Sequence, residues 1–480
     1  MHSQDTGRLD NAESRSNSYL WIIVVGVSLL LMGLSSLRHA LFYSSALDLG
    51  YHDQILYLLS VNEKPIVSFW GSHFLGGHAE WLYYPLSLLY KLAPNVHWLF
   101  AIQAFSLAVA IVPLWHLGFY FKLTHQQLQI VVLSYLLYPL VFNINFFDFH
   151  PEVMAVPLLF LALLFAYRKQ TWLFCLAITL VLGCRASLSL LAISLGLWLI
   201  FFVKRKVCGI YSTSLGIIWF LVFTQILVPH FKPDGYHAVS RYSELGDSIG
   251  EIAINVFLRP DLLATKVFTF DNAFYLILLI VPVLWGFSVR HLSPLLAALP
   301  ILGMNLISDT LSQKDLVHQY SVPILPFLLL IIILNLAHNS SLLKKSKSIL
   351  IWCFLCFLIL AKYTSFAKYF DILGEWDATR QAVAQIETKG CVLTTSEIAP
   401  HLTHRQGLYL LSHDVPSLET LEQYQYVLLS LRHPGYGSSL DIAQQTLERI
   451  ETMPDFSLQF EQDEVYLFLQ NSWSESRCTP

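Results

Sequence analysis

The sequence predicts an α-helical polytopic membrane protein with a small α/β unit at its C-terminal end. Three observations lead there. Of 480 residues, 55% are hydrophobic and only 13% are charged, against about 25% charged in an ordinary soluble domain, and the mean hydropathy is +0.55. Most of the surface therefore faces lipid rather than water. Apolar runs of spanning length recur between residues 19 and 364, a crossing helix needing about 20 apolar residues. Beyond residue 364 the pattern changes to short alternating runs and polar helical stretches, as expected of strands and amphipathic helices facing water. A net charge of −4 with no clustered basic face excludes nucleic acid as a partner and leaves the lipid bilayer.

Taken in order, residues 1–18 form a cytoplasmic N-terminal tail, and eleven spans follow: 19–37, 98–121, 128–146, 152–167, 171–184, 187–203, 211–230, 273–289, 292–307, 320–338 and 348–364. The first is too long for a cleaved signal peptide and lacks the small-x-small cleavage site, so it stays as an anchor. Short-loop cations set the orientation. With these spans Arg8, Arg15, Lys122, Arg168, Lys169, Lys204, Arg205, Lys206, Arg290, Lys344, Lys345 and Lys347 all fall on one side, the cytoplasm. The membrane domain 19–364 then begins inside and ends outside, and thirteen of the eighteen histidines lie on the outer face. The long first outer loop, 38–97, holds the amphipathic stretch EWLYYPLSLLYKL, which suits the plane of the interface. A second polar outer loop, 231–272, contains PDGYHAVSRYSELGDS.

Residues 365–480 read as a soluble extracytoplasmic α/β domain. CVLTTSE, GLYLLS, YQYVLLSL, SLQFEQ and EVYLFLQ alternate as strands, and WDATRQAVAQIETK and LDIAQQTLERIETM read as helices. The unit has no Gly-rich phosphate loop, no GxSxG and no metal-spaced Cys/His set, so binding or a lid is expected of it rather than catalysis. The seven cysteines form no framework. Cys353 and Cys356 sit in IWCFLCFLIL as two small side chains on one helix face. Cys391 and Cys478 lie in the polar tail.

Two polar constellations carry candidate chemistry. The first is LDLGYHDQ, with Asp48, His52 and Asp53 just past the first span. On a helix Asp48 and His52 share a face, while Asp48 and Asp53 point about 140° apart. The segment is either a solvated junction with Asp48 as helix cap or a source of a base or metal ligand. The second is NFFDFHPE, with Asp148, His150 and Glu152 between two apolar runs. Pro151 biases His150 towards extended backbone, which would place all three side chains on one side. Such a set suits a divalent cation such as Mg²⁺ or Mn²⁺, or a sugar and a phosphate; the plainer alternative is that Asp148 caps the next helix. Arg185, in GCRASLSL, is a candidate phosphate ligand or a snorkelling interfacial arginine. Arg241, Tyr242 and Glu244, and Lys314, His318 and Tyr320, are candidate lining groups for a donor or acceptor site. His73, His78, Glu80 and Trp81 in SHFLGGHAEW suit a cleft, with Gly76 and Gly77 permitting close approach. Trp70, Trp81, Tyr83, Tyr84 and Trp98 fit an interfacial aromatic belt.

The succession LDLGYHDQ, GGHAEWLYYPLSLLYKLAP, YPLVFNINFFDFHPEVMAVPLLFLAL and HQYSVPILPFLLL, with VLTTSEIAPHLTHRQGLYLL in the tail, resembles a prokaryotic family of predicted multi-pass membrane proteins classed as a domain of unknown function. That family is in turn similar to the GT-C superfamily of glycosyltransferases. The resemblance implies a GT-C-like helix bundle in the plasma (inner) membrane and sugar transfer from a polyprenyl-phosphate donor on the outer face. It also implies that Asp48 or Asp53 takes the place of the first-loop acid, and Asp148 and Glu152 the second-loop acids. Where relatives carry a Lys-Glu-Asp-like cluster after helix 5, this chain has Cys184, Arg185, Ala186 and Ser187, so that either Arg185 alone keeps the phosphate-binding role or this member has drifted in donor or activity.

The expectation is therefore a membrane glycosyltransferase-like protein. Asp48 and Asp53 are its candidate catalytic acids. Asp148, His150, Glu152, His78, Arg185, Arg241 and His318 are its substrate ligands, and Asp48, Asp148 and Glu152 are candidate ligands for a divalent cation. A transporter or flippase would need ionisable groups deep within the spans or inverted repeats; a non-catalytic scaffold would lack an outer cleft.

Overall fold

The computed structural model describes residues 2–474 except His413, with only the backbone of 2–17 and 366. Met1, His413 and 475–480 lie outside the described residues, as do Cys478 and the side chains of Arg8 and Arg15. The first helix runs His2–Ala40 and so carries Arg38 up to the outer end of its span. Among the described residues six helices are long and apolar enough to cross a membrane: Ser18–Ala40, His97–Tyr120, His125–Phe147, Lys206–Phe231, Leu311–Ala337 and Ser346–Gly374. Pro260–Val267 and Phe270–Gly286, bent by 60°, make a seventh if read as one broken span. The remaining expected spans appear as shorter apolar helices, Glu152–Tyr167, Thr171–Cys184, Leu188–Val203 and Leu295–Ile307. At about 1.5 Å per residue such helices fall short of the roughly 30 Å hydrocarbon layer. The structure is thus a mostly helical membrane protein with six to seven apolar spans by length and composition.

Helix breaks follow the chemistry of the sequence. Thr124 opens the third span with a capping box to Gln127. Pro139 interrupts that span, so it consists of His125–Leu136 and Pro139–Phe147. The bundle core is contiguous, with Tyr135, Phe160, Phe174, Trp285 and Phe327 fully buried. Leu188–Trp198 and Lys206–Val222 approach closely because Gly196 and Gly209 face each other. A Cβ on Gly209 would lie 2.5 Å from the Gly196 carbonyl oxygen, the small-residue contact that brings membrane helices together.

The first outer loop folds into a π-helical turn Ala46–Gly50, a helix Tyr51–Ser60, a short hairpin of β1 (Ile66–Val67) and β2 (Ser72–His73), and a helix Tyr83–Leu92. The C-terminal residues form a five-stranded sheet. Its strands are β3 (Val392–Thr394), β4 (Leu408–Leu410), β5 (Tyr426–Ser430), β6 (Phe456–Gln462) and β7 (Val465–Gln470), in the order β4-β3-β5-β7-β6. β3 runs parallel to β4 and β5, and β7 antiparallel to β5 and β6. The β6–β7 turn places Asp463 and Glu464 at φ 50° and 64°, the left-handed pair that a two-residue hairpin requires. Period-two alternation gives the sheet two apolar faces. Val392, Leu428 and Leu467 pack with Ala378 and Ala382 and with Ala46 and Phe69 of the first outer loop. Leu393, Val427, Leu429 and Phe468 pack against Ala443, Leu447 and Ile450 of the helix Leu440–Glu451. The sheet is therefore seated on the loop that bears Asp48.

Candidate functional site

A cleft opens at the end of the bundle that carries the 38–97 segment, lined by Asp48, Tyr51, His52, Trp70, His78, His150, Arg185, Lys232 and His237 among others. Its residues come from five stretches far apart in the chain, the fifth supplying Gln319. Ser45 caps the Ala46–Gly50 turn by accepting from the Leu47 N–H at 3.2 Å, and the turn presents Asp48 with its side chain 23% exposed. Asp48 Oδ1 lies 3.3 Å from His150 Nε2. The Gln103 side chain holds the segment that bears His150: its Oε1 accepts from the His150 N–H at 3.1 Å, and its Nε2 donates to the Asp148 carbonyl at 2.9 Å.

The far wall of the cleft is cationic. Arg185, at the end of the helix Thr171–Cys184, pairs with Glu152 and donates to His78 Nε2 at 3.1 Å. His78 Nδ1 lies 3.2 Å from the Tyr236 hydroxyl. Lys232 sits over the Trp70 ring, 5.3 Å from its centroid. Burial holds His52 and His78 well below the usual histidine range, assisted for His52 by His150 and for His78 by Arg185. Burial, then Lys232, brings His237 down to about 4. All three rings are thus neutral at pH 7, each offering one donor and one acceptor. The Tyr51 hydroxyl and the Trp70 indole N–H are buried without a hydrogen-bond partner among the described residues, although both residues line the cleft. Gly77 makes the Tyr51 position possible, since a Cβ there would lie 2.9 Å from the hydroxyl. Buried polar groups are rarely left unpaired, so these donors point to a polar ligand.

Of the residues singled out from sequence, Asp48, His78, His150 and Arg185 converge on this cleft, together with His52 of the first motif. Asp53 does not. It accepts from the Tyr90 hydroxyl at 2.5 Å and from the Thr403 hydroxyl, with His404 Nε2 at 3.2 Å. Glu152 stands behind the cleft as the partner of Arg185. Arg241 donates to the Tyr320 hydroxyl at 2.9 Å, and His318 Nδ1 lies 2.6 Å from Asp315 Oδ2.

The expectation that Asp148, His150 and Glu152 share one side is not met. Asp148 takes φ 117° and the helix restarts at Glu152 behind Pro151, so the three side chains diverge. Asp148 is buried, with Oδ1 2.8 Å and Oδ2 3.1 Å from the two terminal nitrogens of Arg38, and it accepts from the Ser45 N–H at 2.9 Å. Burial lifts its pKa to about 6 against the pull of Arg38. Two of the three proposed metal ligands are thus held by arginines. Among the described residues no group of three His, Cys, Asp or Glu side chains is arranged to hold a metal ion, and Asp48, Asp148 and Glu152 meet three different partners, His150, Arg38 and Arg185.

Sequence reasoning passed over Arg38, Lys232 and His237. Nothing in the local pattern marks Lys232, which gains its place only when the loop after the Lys206–Phe231 span folds back over Trp70. Tyr51 and Trp70 had a signal, since one lies inside the LDLGYHDQ motif and the other belongs to the aromatic set.

No curated protein matches the chain. Among solved structures, the chain is similar to the crystal structure of ArnT from Cupriavidus metallidurans bound to undecaprenyl phosphate: 12% identity, 96% of this chain and 99% of that one covered, TM-score 0.57. It is also similar to the cryo-EM structure of the arabinofuranosyltransferase AftD from Mycobacteria, with 14% identity, 95% of this chain but 40% of that one covered, and a TM-score of 0.48. The ArnT likeness is one of fold and agrees with the GT-C resemblance of the sequence. The family of predicted membrane proteins DUF2079 matches residues 38–467, a stretch that takes in the whole cleft and all of the C-terminal sheet but the last three residues of its final strand. The chain therefore belongs to the DUF2079 family of predicted membrane proteins.

Proposed function

We propose that this protein is a glycosyltransferase of the outer membrane face, drawing its sugar from a polyprenyl-phosphate-linked donor in the plasma membrane. The observation that carries the reading is the cleft itself, in which a partly exposed carboxylate, Asp48, opens on the same space as two cations, Arg185 and Lys232. Transfer from a lipid phosphate needs a base at the acceptor hydroxyl and positive charge at the leaving phosphate. Asp48 takes the hydroxyl proton as the acceptor oxygen bonds to the anomeric carbon, and His150 orients that carboxylate. The bond from the anomeric carbon to the phosphate oxygen breaks, and the phosphate leaves with the electron pair towards Lys232 and Arg185. Neutral His52, His78 and His237, with the unpaired Tyr51 and Trp70 donors, hydrogen-bond the sugar. The undecaprenyl phosphate of the ArnT structure supports a lipid-linked donor.

In this reading all eleven apolar segments cross. The four short ones pass through a bilayer thinned locally around the cleft, the N-terminus is cytoplasmic and residues 365–480 stand outside. Asp53, Asp148 and Glu152 hold the architecture, while Arg241 and His318 shape the rim.

The test is sugar transfer by purified protein in lipid nanodiscs with polyprenyl-phosphate sugars. Replacing Asp48 by Asn is expected to lower kcat by about 10² or more, the usual weight of a general base. Arg185→Gln is expected to lower kcat/KM for the lipid donor. A wild-type rate for Asp48→Asn overturns the assignment.

A further inference from the structure

A second, open cavity lies behind the cleft and is lined by Arg38, Tyr43, Phe146, Phe147, Lys362 and Lys368 among others. The two spaces share a wall one aromatic pair thick: Phe147, which lines the second cavity, stacks on His150, which lines the cleft, with ring centroids 5.1 Å apart and planes 17° apart. The lysines are held in place through their backbones. The Lys362 N–H donates to Asn143 Oδ1 at 2.7 Å. The Lys368 carbonyl accepts from the Tyr43 hydroxyl, whose ring packs on Tyr369 at 4.7 Å. Their ammonium groups remain free, since neither has an ion-pair partner among the described residues. The charge of Arg38 is balanced by Asp148, which it meets through both terminal nitrogens. Lys362 and Lys368 are exposed and so leave two net positive charges on the rim of the cavity, where an anionic group can be met by both.

The apolar side of the same cavity leads into the membrane. Phe146 stacks on Phe142 at 4.7 Å, and Phe142 meets Phe357 at 5.3 Å. Phe357 belongs to the helix Ser346–Leu360, which exposes Phe354, Leu355 and Ile359 outward, along the path an acyl or prenyl chain would take. We propose that this cavity binds the phosphate group of a membrane lipid, a monoester or diester, between Lys362 and Lys368, with the chains running down the Phe146, Phe142 and Phe357 face. The site is separate from the cleft, and its occupancy does not depend on sugar transfer.

Full-length protein in detergent, titrated with dioleoyl phosphatidic acid and followed by native mass spectrometry, tests the proposal. The comparison ligands are dioleoylglycerol, which keeps the chains and lacks the phosphate, and inorganic phosphate, which lacks the chains. The wild type is expected to retain one phosphatidic acid at concentrations where dioleoylglycerol leaves none bound. The Lys362→Gln and Lys368→Gln double variant is expected to bind at least about tenfold more weakly, as when a charge-assisted contact is lost. Lys344→Gln with Lys345→Gln is expected to bind as the wild type. Displacement of the lipid by inorganic phosphate alone supports the phosphate site and makes the free ion a sufficient ligand; failure of inorganic phosphate to displace it supports the lipid. Equal binding of dioleoylglycerol, or undiminished binding by the double variant, overturns the proposal. A photoreactive phosphatidic acid added to wild-type protein gives a reading independent of variant folding: labelling within 362–369 is expected, and labelling elsewhere alone overturns it.

Discussion

Glu80 has no exposed surface, and neither of its carboxylate oxygens has a hydrogen-bond partner among the described residues. Burial pushes its pKa up to about 8 against the pull of Arg185, and Glu397, half-buried, rises to about 8 through the loss of solvent around it and the nearby Glu375. An unfolded glutamate ionises near 4.3, so between about 4.3 and 8 the folded chain binds more protons than the unfolded one and stability falls as pH rises. The buried histidines act in the opposite sense. His237 and His401 titrate near 4 in the fold and near 6.5 in the unfolded chain, so over that window stability rises with pH. By about pH 7.5, one unit above their unfolded value, the histidines have lost nearly all their charge in both states, and the two glutamates set the slope. The thermal midpoint of the purified protein is therefore expected to fall as pH rises from about 7.5 through 8. Glu80→Gln, which stays neutral and keeps the shape, is expected to flatten that slope; an unaltered slope would mean that the Glu80 carboxyl is already ionised at neutral pH.

At the scale of elements, the sequence was most legible where a period decides the outcome. Five alternating runs became the five strands of the sheet. It was least legible where backbone departs from the regular period. The φ of 117° at Asp148 turns DFHPE from a one-sided cluster into three separate partnerships, with Arg38, Asp48 and Arg185. The π-helical turn at Ala46–Gly50 aims Asp48 at the cleft, and local composition does not distinguish it from an ordinary helix start. Glycine spacing likewise becomes meaningful only once two helices are known to cross. A branched side chain in Gly209→Val would meet both the Gly196 carbonyl and Ile200, and overpacking of this kind costs about 1–3 kcal/mol. A lowered thermal midpoint is expected, whereas Gly26→Val, at a glycine with open space around it, is expected to leave the midpoint unchanged. Equal midpoints for the two would show that the helix pair can separate without loss.

At the scale of the molecule, the apolar segments were visible in composition, but the depth each reaches was not, because hydropathy reports what a helix avoids rather than how far it extends. Nor could one sequence show that the C-terminal sheet closes on the first outer loop. The Ala46 N–H donates to the Ser396 carbonyl at 3.2 Å; Gln54 Nε2 donates to Ser68 Oγ at 2.9 Å and to the Arg405 carbonyl at 3.0 Å; and the Leu408 N–H donates to Ser68 Oγ at 2.9 Å. Asp53 sits among these bonds, joining Tyr90 of the loop to Thr403 and His404 of the C-terminal unit. The segment that carries Asp48 is thus held by the membrane bundle through Asp148 and Ser45 and by the sheet through Asp53 and Gln54. This separates the two acids of the LDLGYHDQ motif by experiment. Asp53→Ala leaves the Tyr90 hydroxyl unpaired in a buried site and the Thr403 hydroxyl with only the Pro400 carbonyl at 3.4 Å, at a cost of about 1–3 kcal/mol, and is expected to lower the thermal midpoint and to speed proteolysis between 362 and 375. Asp48→Asn, on a partly exposed side chain, is expected to leave both readings as in the wild type while abolishing transfer. Should Asp53→Ala instead abolish transfer with melting and proteolysis unchanged, Asp53 acts in the chemistry and the joint between sheet and loop is held by the remaining bonds alone.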